Sequence, residues 1–189
     1  MDNEKVLHIR NMVCNRCIMV VENALYGLEI PVETTLLGKA VLKNVISKEK
    51  KEAAALTLKG LGFELIDDKK QRVSEHVKNS IVHLIHHDRE LLPVNFSEYI
   101  SNKLDMDYQQ ISRIFSETEN STIEKYIIAQ KIERVKELLT YEELSLSEIA
   151  HQLHYSSVAH LSSQFKKVTG ITPSLYKQQT IPRKPLDEV

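Results

Sequence analysis

Two different periods of hydrophobic residues divide this chain into two parts. In the first third, apolar and polar positions alternate in four short runs, and such alternation predicts strands. These runs lie at residues 5–9, 32–37, 39–45 and 63–66. Residues 18–28 and 47–61 instead carry apolar side chains at helical spacing. The predicted order of elements is therefore β-α-β-β-α-β, with a hairpin turn at Gly38.

From residue 71 onward the apolar spacing is that of helices throughout. Residues 71–92 predict one helix, which Pro93 ends. Two pairs of short helices follow, with a longer helix at residues 121–139 between the pairs. The paired segments are 95–104 with 107–116, and 147–153 with 156–168. Asp107 is the predicted N-cap of its helix, as Ser47 is of the helix at residues 47–61. Because few residues separate the members of a pair, they must cross steeply, as in a helix-turn-helix motif.

We therefore predict an α+β N-terminal domain of ferredoxin-like βαββαβ plan, followed by an all-α domain. The all-α domain has two helix-turn-helix subdomains joined by a long helix. The predicted boundaries are 1–68 for the first domain, 69–93 for a connecting helix, 94–180 for the helical domain and 181–189 for a tail. A charged run at residues 67–70 marks the break between the domains.

The last pair of short helices carries clear end signals and one polar face. Ser145 and Glu148 have the spacing of a capping box, and Ser156 and Ser157 offer N-cap oxygens to the final helix. The solvent side of that helix is small, polar and basic, which suits entry into the major groove of DNA. Its members are Ala159, His160, Ser163, Gln164 and Lys167. A helical hairpin in an ordinary bundle would show the same spacing, so the spacing alone leaves both interpretations open.

This stretch resembles the second half of the AraC-type DNA-binding domain. The residues at the family's spacing are Leu146, Ile149, Ala150, Tyr155, Ser156, Phe165, Lys166, Lys167, Gly170, Thr172, Pro173 and Tyr176. In the long helix, Tyr126, Ile132, Leu138 and Leu139 match the family's connecting helix. The resemblance covers about residues 72–179. His154 stands where the family usually has Gly, so either the turn differs or His154 adopts a positive φ.

The resemblance implies two DNA recognition helices in one chain. The first offers Tyr108, Gln109, Gln110, Ser112 and Arg113, and the second offers Val158, Ala159, His160, Ser163 and Gln164. Predicted phosphate contacts are Lys131, Arg134, Lys166 and Lys167. Arg113 is expected to hydrogen-bond guanine, and Gln109 and Gln110 to hydrogen-bond adenine. Val158 can contact a thymine methyl group or lie in the core. A solvated polar face is the alternative for each of these side chains.

The length of the connecting helix fits this interpretation. Nineteen residues, at 1.5 Å per residue, span about 28 Å. Two recognition helices on one face of a duplex lie about one helical turn apart, roughly 34 Å. One chain can therefore be expected to read two successive major-groove segments.

The chain has two cysteines, Cys14 and Cys17, at C-x-x-C spacing where a predicted strand meets a helix. A helix N-terminus favours thiolate, and two thiolates select Cu(I), Zn(II) or another thiophilic ion. The stretch resembles a heavy-metal-associated domain over about residues 4–68, through Met12, both cysteines, Gly62 and Phe63. Asn11 stands where that family has Gly, and Val13 where it usually has Thr. Met12 is expected to pack in the core rather than bind metal.

Three roles remain open for this thiol pair. It can bind a metal ion, act as a dithiol redox switch, or stay unused in a domain retained for dimerisation. Two Cys ligands under-fill a tetrahedral zinc site, so an ion shared between two chains would make the protein a homodimer. The histidines His83, His86 and His87 share one helical neighbourhood, but a solvated polar face is the more common meaning of this spacing.

Composition narrows the functional classes without choosing between them. Hydrophobic residues make up 42% and charged residues 27% of the 189 residues, and the net charge is −1. Any DNA binding must then depend on local basic patches. We expect a cytoplasmic protein, because there is no secretory signal and no run long enough to span a membrane. No phosphate loop, acid–base pair or other enzymatic signature is present, so we expect no enzyme.

The leading hypothesis is a transcription regulator modulated by a metal ion or thiol state at the C-x-x-C loop. Its expected partners are double-stranded DNA and, if it activates, RNA polymerase, with no membrane partner. The alternative is a metal-trafficking protein whose helical domain is a docking module. DNA affinity of the unmodified chain at low salt distinguishes the two.

Overall fold

A computed structural model of the chain describes residues 5–87, 96–141, 143–178 and 185–187. The chain divides into two compact units, Met1–Asn79 and Ser80–Val189. The first unit holds a small antiparallel sheet, and the described part of the second is helical. This confirms the predicted change from a mixed N-terminal part to helices; the predicted domain boundaries remain predictions.

Residues 5–65, the described part of the first unit before α3, form four strands and two helices in the predicted order. They are β1 (Val6–Arg10), α1 (Asn15–Gly27), β2 (Val32–Leu36), β3 (Lys39–Leu42), α2 (Lys48–Gly60) and β4 (Glu64–Leu65). The strand order in the sheet is β2-β3-β1-β4, and every neighbouring pair is antiparallel. Gly38 ends the turn between β2 and β3 with a φ of 83°, a conformation that favours glycine.

Alternation along β1 separates two environments. Leu7 and Ile9 are buried in an apolar cluster with Val21 and Leu25 of α1 and Leu58 of α2. Val6, His8 and Arg10 are half-buried, so the alternate positions of β1 face a more polar environment. Ser47 caps α2 by accepting a hydrogen bond from the Lys50 backbone N–H, as the sequence predicts.

The predicted helix at residues 71–92 differs from the structure in its start and its form. Helix α3 (Lys69–Val82) begins two residues earlier, and a π-helical segment follows it at His83–His87. Hydrophobic periodicity does not distinguish an α-helix from a short π segment, because both bury similar positions. The predicted end at Pro93 lies outside the described residues.

The second unit contains six further helices among its described residues. They are α4 (Phe96–Leu104), α5 (Tyr108–Glu119), α6 (Ile123–Tyr141), α7 (Leu146–Gln152), α8 (Val158–Thr169) and α9 (Pro173–Gln178). The first five correspond to the predicted helices, whereas α9 was not predicted. Pro173 begins α9 at the first helical position, where the missing N–H costs nothing.

One apolar cluster joins the last four of these helices. Helix α6 contributes Ile132, Val135 and Leu139 to this cluster. They pack with Ile149 of α7, Leu161 and Phe165 of α8, and Tyr176 of α9. Phe165 and Tyr176 meet edge to face, with ring centroids 5.5 Å apart. Across the described part of the chain, no helix is both long and apolar enough to cross a membrane.

Candidate nucleic-acid interface and thiol loop

Helices α7 and α8 begin at the caps that the sequence predicts. The Ser145 side chain accepts a hydrogen bond from the Glu148 backbone N–H, and the Glu148 carboxylate accepts one from the Ser145 backbone N–H at 2.8 Å. Ser157, rather than Ser156, caps α8 by accepting from the His160 N–H at 3.0 Å. The starts of both helices are therefore set by local hydrogen bonds.

The turn between α7 and α8 contains a non-glycine residue in the left-handed region. His154 has a φ of 54°, so the chain keeps a left-handed turn where the family usually has Gly. The Tyr155 N–H donates to the Ala150 carbonyl at 2.8 Å and so closes the turn. Of the two possibilities left open by the sequence, positive φ at His154 is the one observed.

Lys131 of α6 holds this turn from inside the domain. Its Nζ donates a hydrogen bond to the Leu153 carbonyl at 2.8 Å and lies 5.3 Å from the centroid of the Tyr155 ring. Burial lowers the pKa of Lys131, and burial raises the pKa of Tyr155 to about 12. Lys131 thus has internal partners, and its predicted phosphate contact remains a prediction.

The polar side of α8 is exposed. A recognition helix must be exposed in this way to reach DNA. Leu161 and Phe165 point into the core, while most of the predicted DNA-contacting residues lie on the solvent side. The exposed residues are Val158, Ala159, His160, Ser163, Lys166 and Lys167, and Gln164 is half-buried. Val158 is 36% exposed, so it is not a core residue.

The ring of His160 is held by its neighbours in the turn. The Ser156 Oγ lies 3.0 Å from His160 Nδ1, and the Tyr155 ring meets the imidazole edge to face at 5.3 Å. These contacts restrict the rotamer of a side chain at the exposed start of α8. An ordered polar group at this position is suited to contacting a ligand without a large cost in side-chain entropy.

Helices α4 and α5 form the first pair, and α5 starts at a predicted cap. The Asp107 carboxylate accepts hydrogen bonds from the backbone N–H groups of Gln109 and Gln110 at 2.8 and 3.4 Å. Gln109, Gln110 and Arg113 are exposed, and Ser112 is half-buried. Ile111, Ile114 and Phe115 form the buried side of the same helix. Helix α5 therefore presents one polar side, as α8 does.

Tyr108 has a partner within the protein. Its hydroxyl donates a hydrogen bond to Glu124 of α6 at 2.9 Å. Burial, with the hydrogen bond and charge of Glu124, raises the pKa of Tyr108 to about 12. This contact links the start of α5 to the start of α6. A DNA contact by Tyr108 would have to be made alongside this bond, and it remains a prediction.

Helix α6 lies between the two pairs and has the predicted length. Its 19 residues correspond to about 28 Å. On its half-buried side, the Arg134 Nη1 donates to the Glu137 carboxylate at 2.7 Å. Of the four predicted phosphate contacts, the two on α8 are thus exposed, whereas the two on α6 have internal partners.

The thiol pair lies at the start of α1. Cys14 is the N-cap residue of α1, and the two sulfur atoms are 3.6 Å apart. Both thiols are half-buried and form no disulfide. Burial opposes ionisation of Cys14, but hydrogen bonds from the Cys17 backbone and thiol hold its pKa below the ordinary value. Burial and the adjacent Cys14 sulfur raise the pKa of Cys17.

The backbone of the loop before the cysteines accounts for one departure from the family pattern, Asn11 in place of Gly. Asn11 has a φ of 71°, so it adopts the conformation that Gly would supply in the heavy-metal-associated family. Met12 is fully buried in the core of the first unit, as predicted, and Phe63 packs in the same cluster. Neither of these two side chains is placed to act as a metal ligand.

In the histidine cluster, His83 and His87 are exposed, as on a solvated polar face, whereas the His86 side chain is buried. The side chain of His86 is only 3% exposed, and its Nε2 lies 2.9 Å from the side-chain amide oxygen Oε1 of Gln130. Burial lowers the pKa of His86. Within the described residues, no group of three His, Cys, Asp or Glu side chains could hold a metal ion.

Glu75 of α3 is a buried residue near the thiol loop that sequence reasoning missed. It is 3% exposed, and its carboxylate accepts a hydrogen bond from the Asn11 backbone N–H at 3.0 Å. The apolar face predicted for this helix runs through Val73 and Val77, and Glu75 lies off that face. No spacing in a single sequence indicates such a contact, because its two residues are 64 positions apart.

Comparison with known proteins supports the helical part of this description. Residues 100–179 match a family model described as a helix-turn-helix domain. The matched segment contains the last five residues of α4 and all of α5, α6, α7, α8 and α9. The chain therefore contains a helix-turn-helix domain, whereas its assignment to the AraC type remains a prediction.

The relatives are bacterial proteins described as transcription regulators. The chain is 28% identical over 105 residues to the uncharacterised HTH-type transcriptional regulator YtdP of Bacillus subtilis, covering 56% of this chain and 13% of that protein. It is 23% identical over 158 residues to YdeC of the same organism, covering 83% of this chain and 47% of that protein. The chain thus spans less than half the length of these relatives.

Among solved structures, a transcriptional regulator of Chromobacterium violaceum described as containing an AraC-type DNA-binding domain matches with a TM-score of 0.49. The identity is 20%, and the match covers 59% of this chain and 96% of that one. The family match lies outside the thiol-bearing unit, so the resemblance of that unit to heavy-metal-associated domains remains a prediction.

Proposed function

We propose that this protein is a sequence-specific DNA-binding transcription regulator of the AraC type. One observation carries the proposal: two helix pairs, joined by α6, each place one polar helix face in solvent. The family match over residues 100–179 includes part of α4 and all of α5 to α9, and it supports the same conclusion. A binding role, rather than an enzymatic one, follows from this proposal.

Each exposed face suits a different part of a DNA site. On α5, the Arg113 guanidinium can bind guanine with two hydrogen bonds, and Gln109 and Gln110 can pair with adenine. On α8, His160 supplies a polar ring at the helix start, and Lys166 and Lys167 supply phosphate contacts. Helix α6, about 28 Å long, lies between the two proposed reading helices in the chain, and one turn of DNA is roughly 34 Å.

Electrostatics make the proposed binding depend on a few side chains. The net charge of −1 gives no general attraction to DNA, so local cations must supply it. The exposed cations on the two proposed reading helices are Arg113, Lys166 and Lys167. With roughly three phosphate or base contacts of this kind, the salt dependence should be real but modest.

Selection of duplexes from a random pool by the full chain tests the proposal. We expect one enriched sequence with two conserved segments about one helical turn apart. Arg113→Ala should relax the sequence preference within one segment and His160→Ala within the other, each with a loss of about 1–3 kcal/mol. Lys125→Ala, at an exposed position of α6, is the matched control and should select the unaltered sequence. Absence of any enriched sequence would contradict the proposal.

The thiol-bearing unit is proposed to have the ferredoxin-like plan and to bind a thiophilic ion that modulates DNA binding. The sheet order β2-β3-β1-β4 with two crossover helices supports the plan. The residues fit an ion in part. A sulfur separation of 3.6 Å brings both thiols within reach of a single ion.

The number of protein ligands at the thiol pair favours Cu(I) over Zn(II). The described residues bring no third Cys, His, Asp or Glu to the thiol pair. Two soft sulfur ligands therefore suit Cu(I), whereas Zn(II) would need further ligands from outside this chain. Cu(I) competition assays with Cys14→Ser and Cys17→Ser variants test the assignment. Unaltered Cu(I) affinity in both variants would show that the cysteines are not the ligands.

Coupling between the ion and DNA needs a separate measurement. If the ion modulates DNA binding, DNA affinity must differ between the ion-bound and ion-free protein. By linkage, the ion affinity must then differ by the same factor between the DNA-bound and DNA-free protein. Equal DNA affinity with and without bound Cu(I) would remove the regulatory part and leave the DNA proposal standing. Undetectable DNA affinity at low salt, together with tight Cu(I) binding, would favour the metal-trafficking alternative.

A further inference from the structure

Helix α3 makes polar contacts with the strand and loop that lead into the thiol pair. His76 of α3 lies near His8 of β1, with ring centroids 6.2 Å apart. The Glu75 carboxylate lies 3.7 Å from the Nε of Arg10, the last residue of β1, and 3.8 Å from Lys78 Nζ. Two cationic side chains therefore lie within 4 Å of a carboxylate that is almost fully buried.

The Glu75 carboxylate also contacts the backbone of the loop directly. Its Oε1 accepts the Asn11 N–H at 3.0 Å. A hydrogen bond to a buried charged group is stronger than one between neutral groups, and loss of the acceptor would leave the N–H without this bond. Arg10 and Lys78 place positive charge beside this carboxylate, which offsets part of the cost of burying it in its ionised form.

Asn11 is held on its side chain as well as its backbone. Its Nδ2 donates to the Gly62 carbonyl at 3.0 Å, a bond that a Gly at position 11 could not make. The positive φ of 71° at Asn11 is tolerated by Asn better than by most residues. The backbone of residue 11 is thus fixed from α3 on one side and from the segment before β4 on the other.

Only two residues, Met12 and Val13, separate Asn11 from Cys14, and the first of them is packed in the core. Met12 is fully buried in the core of the first unit. With Asn11 held by two hydrogen bonds and Met12 held by packing, the path of the backbone into Cys14 is set before the helix begins. The position of the first thiol therefore depends on the contact between Glu75 and Asn11.

We propose that Glu75 is the positioning residue of the thiol loop, and that its hold on Asn11 sets the affinity of the thiol pair for a thiophilic ion. The second part rests on the ion-binding function proposed above. Residues that orient metal ligands without touching the metal typically change the affinity by about 10–100-fold when they are replaced. Glu75 belongs to this class through Asn11.

Glu75→Ala in the full chain tests both parts, with Cu(I) competition and amide hydrogen exchange as the two measurements. We expect exchange of the Asn11 amide to become at least about ten-fold faster, and the Cu(I) affinity to fall by about ten-fold or more. Glu64→Ala is the matched control, because Glu64 also lies near Arg10 but is 65% exposed. It should alter neither measurement.

Glu75→Gln separates positioning from general packing. Gln keeps an acceptor oxygen at the same reach, so it should restore most of the protection of the Asn11 amide and most of the Cu(I) affinity. If Glu75→Ala does not fold, Glu75→Asp replaces it, since the shorter carboxylate keeps the charge but cannot reach the Asn11 N–H in the same way. Unchanged Asn11 exchange in the folded Ala or Asp variant would overturn the positioning role.

Failure of the ion-binding function gives a different result. If the unmodified protein binds no Cu(I), the proposed ion and the affinity part of this inference are both wrong. Exchange of the Asn11 amide then decides the positioning role alone. If the protein binds Cu(I) and Glu75→Ala binds it equally well, ion binding stands and the affinity part is overturned.

Discussion

Replacement of Lys131 distinguishes an internal role from a contact with DNA phosphate. Lys131→Met keeps most of the apolar stem and removes the ammonium group. The lost interactions are the hydrogen bond to the Leu153 carbonyl at 2.8 Å and the contact with the Tyr155 ring at 5.3 Å. A hydrogen bond from a charged donor contributes about 1.5–3 kcal/mol, and a partly desolvated cation–π contact about 1 kcal/mol.

Part of this loss is offset because the buried ammonium no longer has to be desolvated, an effect consistent with the lowered pKa of Lys131. We therefore expect a net loss of about 2 kcal/mol in the free energy of unfolding of the second unit. For a unit of this size, the melting temperature should fall by roughly 6–10 °C. Urea denaturation and thermal melting measure the two quantities.

The salt dependence of DNA binding completes the test. An internal Lys131 predicts that the slope of log K against log salt is unaltered by the substitution, measured where both proteins are folded. A phosphate contact would reduce the slope by about 0.9. Lys125→Met, at an exposed site on the same helix, should cost less than about 0.5 kcal/mol. A reduced slope with unchanged stability would refute the internal role of Lys131.

Three further predictions concern local features. His154→Gly should stabilise the second unit by about 1 kcal/mol in urea denaturation, because Gly tolerates the φ of 54°. Asn120→Gly, at a φ of 51°, should stabilise it less, because Asn already tolerates this conformation. Equal stabilisation by the two substitutions would contradict this reason. Ser145→Ala should cost about 1 kcal/mol through loss of the capping box, and an unchanged unfolding midpoint would show that the cap contributes little. Burial lowers the pKa of His8 to about 4, so the unfolded chain binds the extra proton and the stability of the first unit should fall as the pH drops from about 6.5 toward 4. His8→Gln should reduce that dependence, measured by amide exchange in β1, and an identical pH dependence in the variant would contradict it.

Much of the fold follows from spacing and end signals in the sequence. Alternation at residues 5–9 and 39–45 predicted β1 and β3, and Ser47, Asp107 and Ser145 marked helix starts that the structure confirms. These signals are local, because a cap or a turn needs residues only a few positions apart. The length of α6 was also predictable from helical apolar spacing, although the helix covers Ile123–Tyr141 and so lies two residues later than the predicted 121–139.

The parts that were not predictable depend on contacts between distant residues. The contact of Glu75 with Asn11 joins positions 64 residues apart, and neither residue type indicates it. The internal bonds of Lys131 and Tyr108 likewise depend on how two helices meet, so both residues were predicted as DNA contacts from their resemblance to the family. The π-helical segment after α3 gives no signal in hydrophobic periodicity.

Hydroxyl-radical footprinting of the full chain on its selected duplex tests the central claim most directly. The account predicts two protected windows on one face of the DNA, with centres about 10 base pairs apart, because α5 and α8 each occupy one major-groove segment. A single window, or uniform weak protection that disappears with salt, would contradict the claim that this chain reads DNA with two helices.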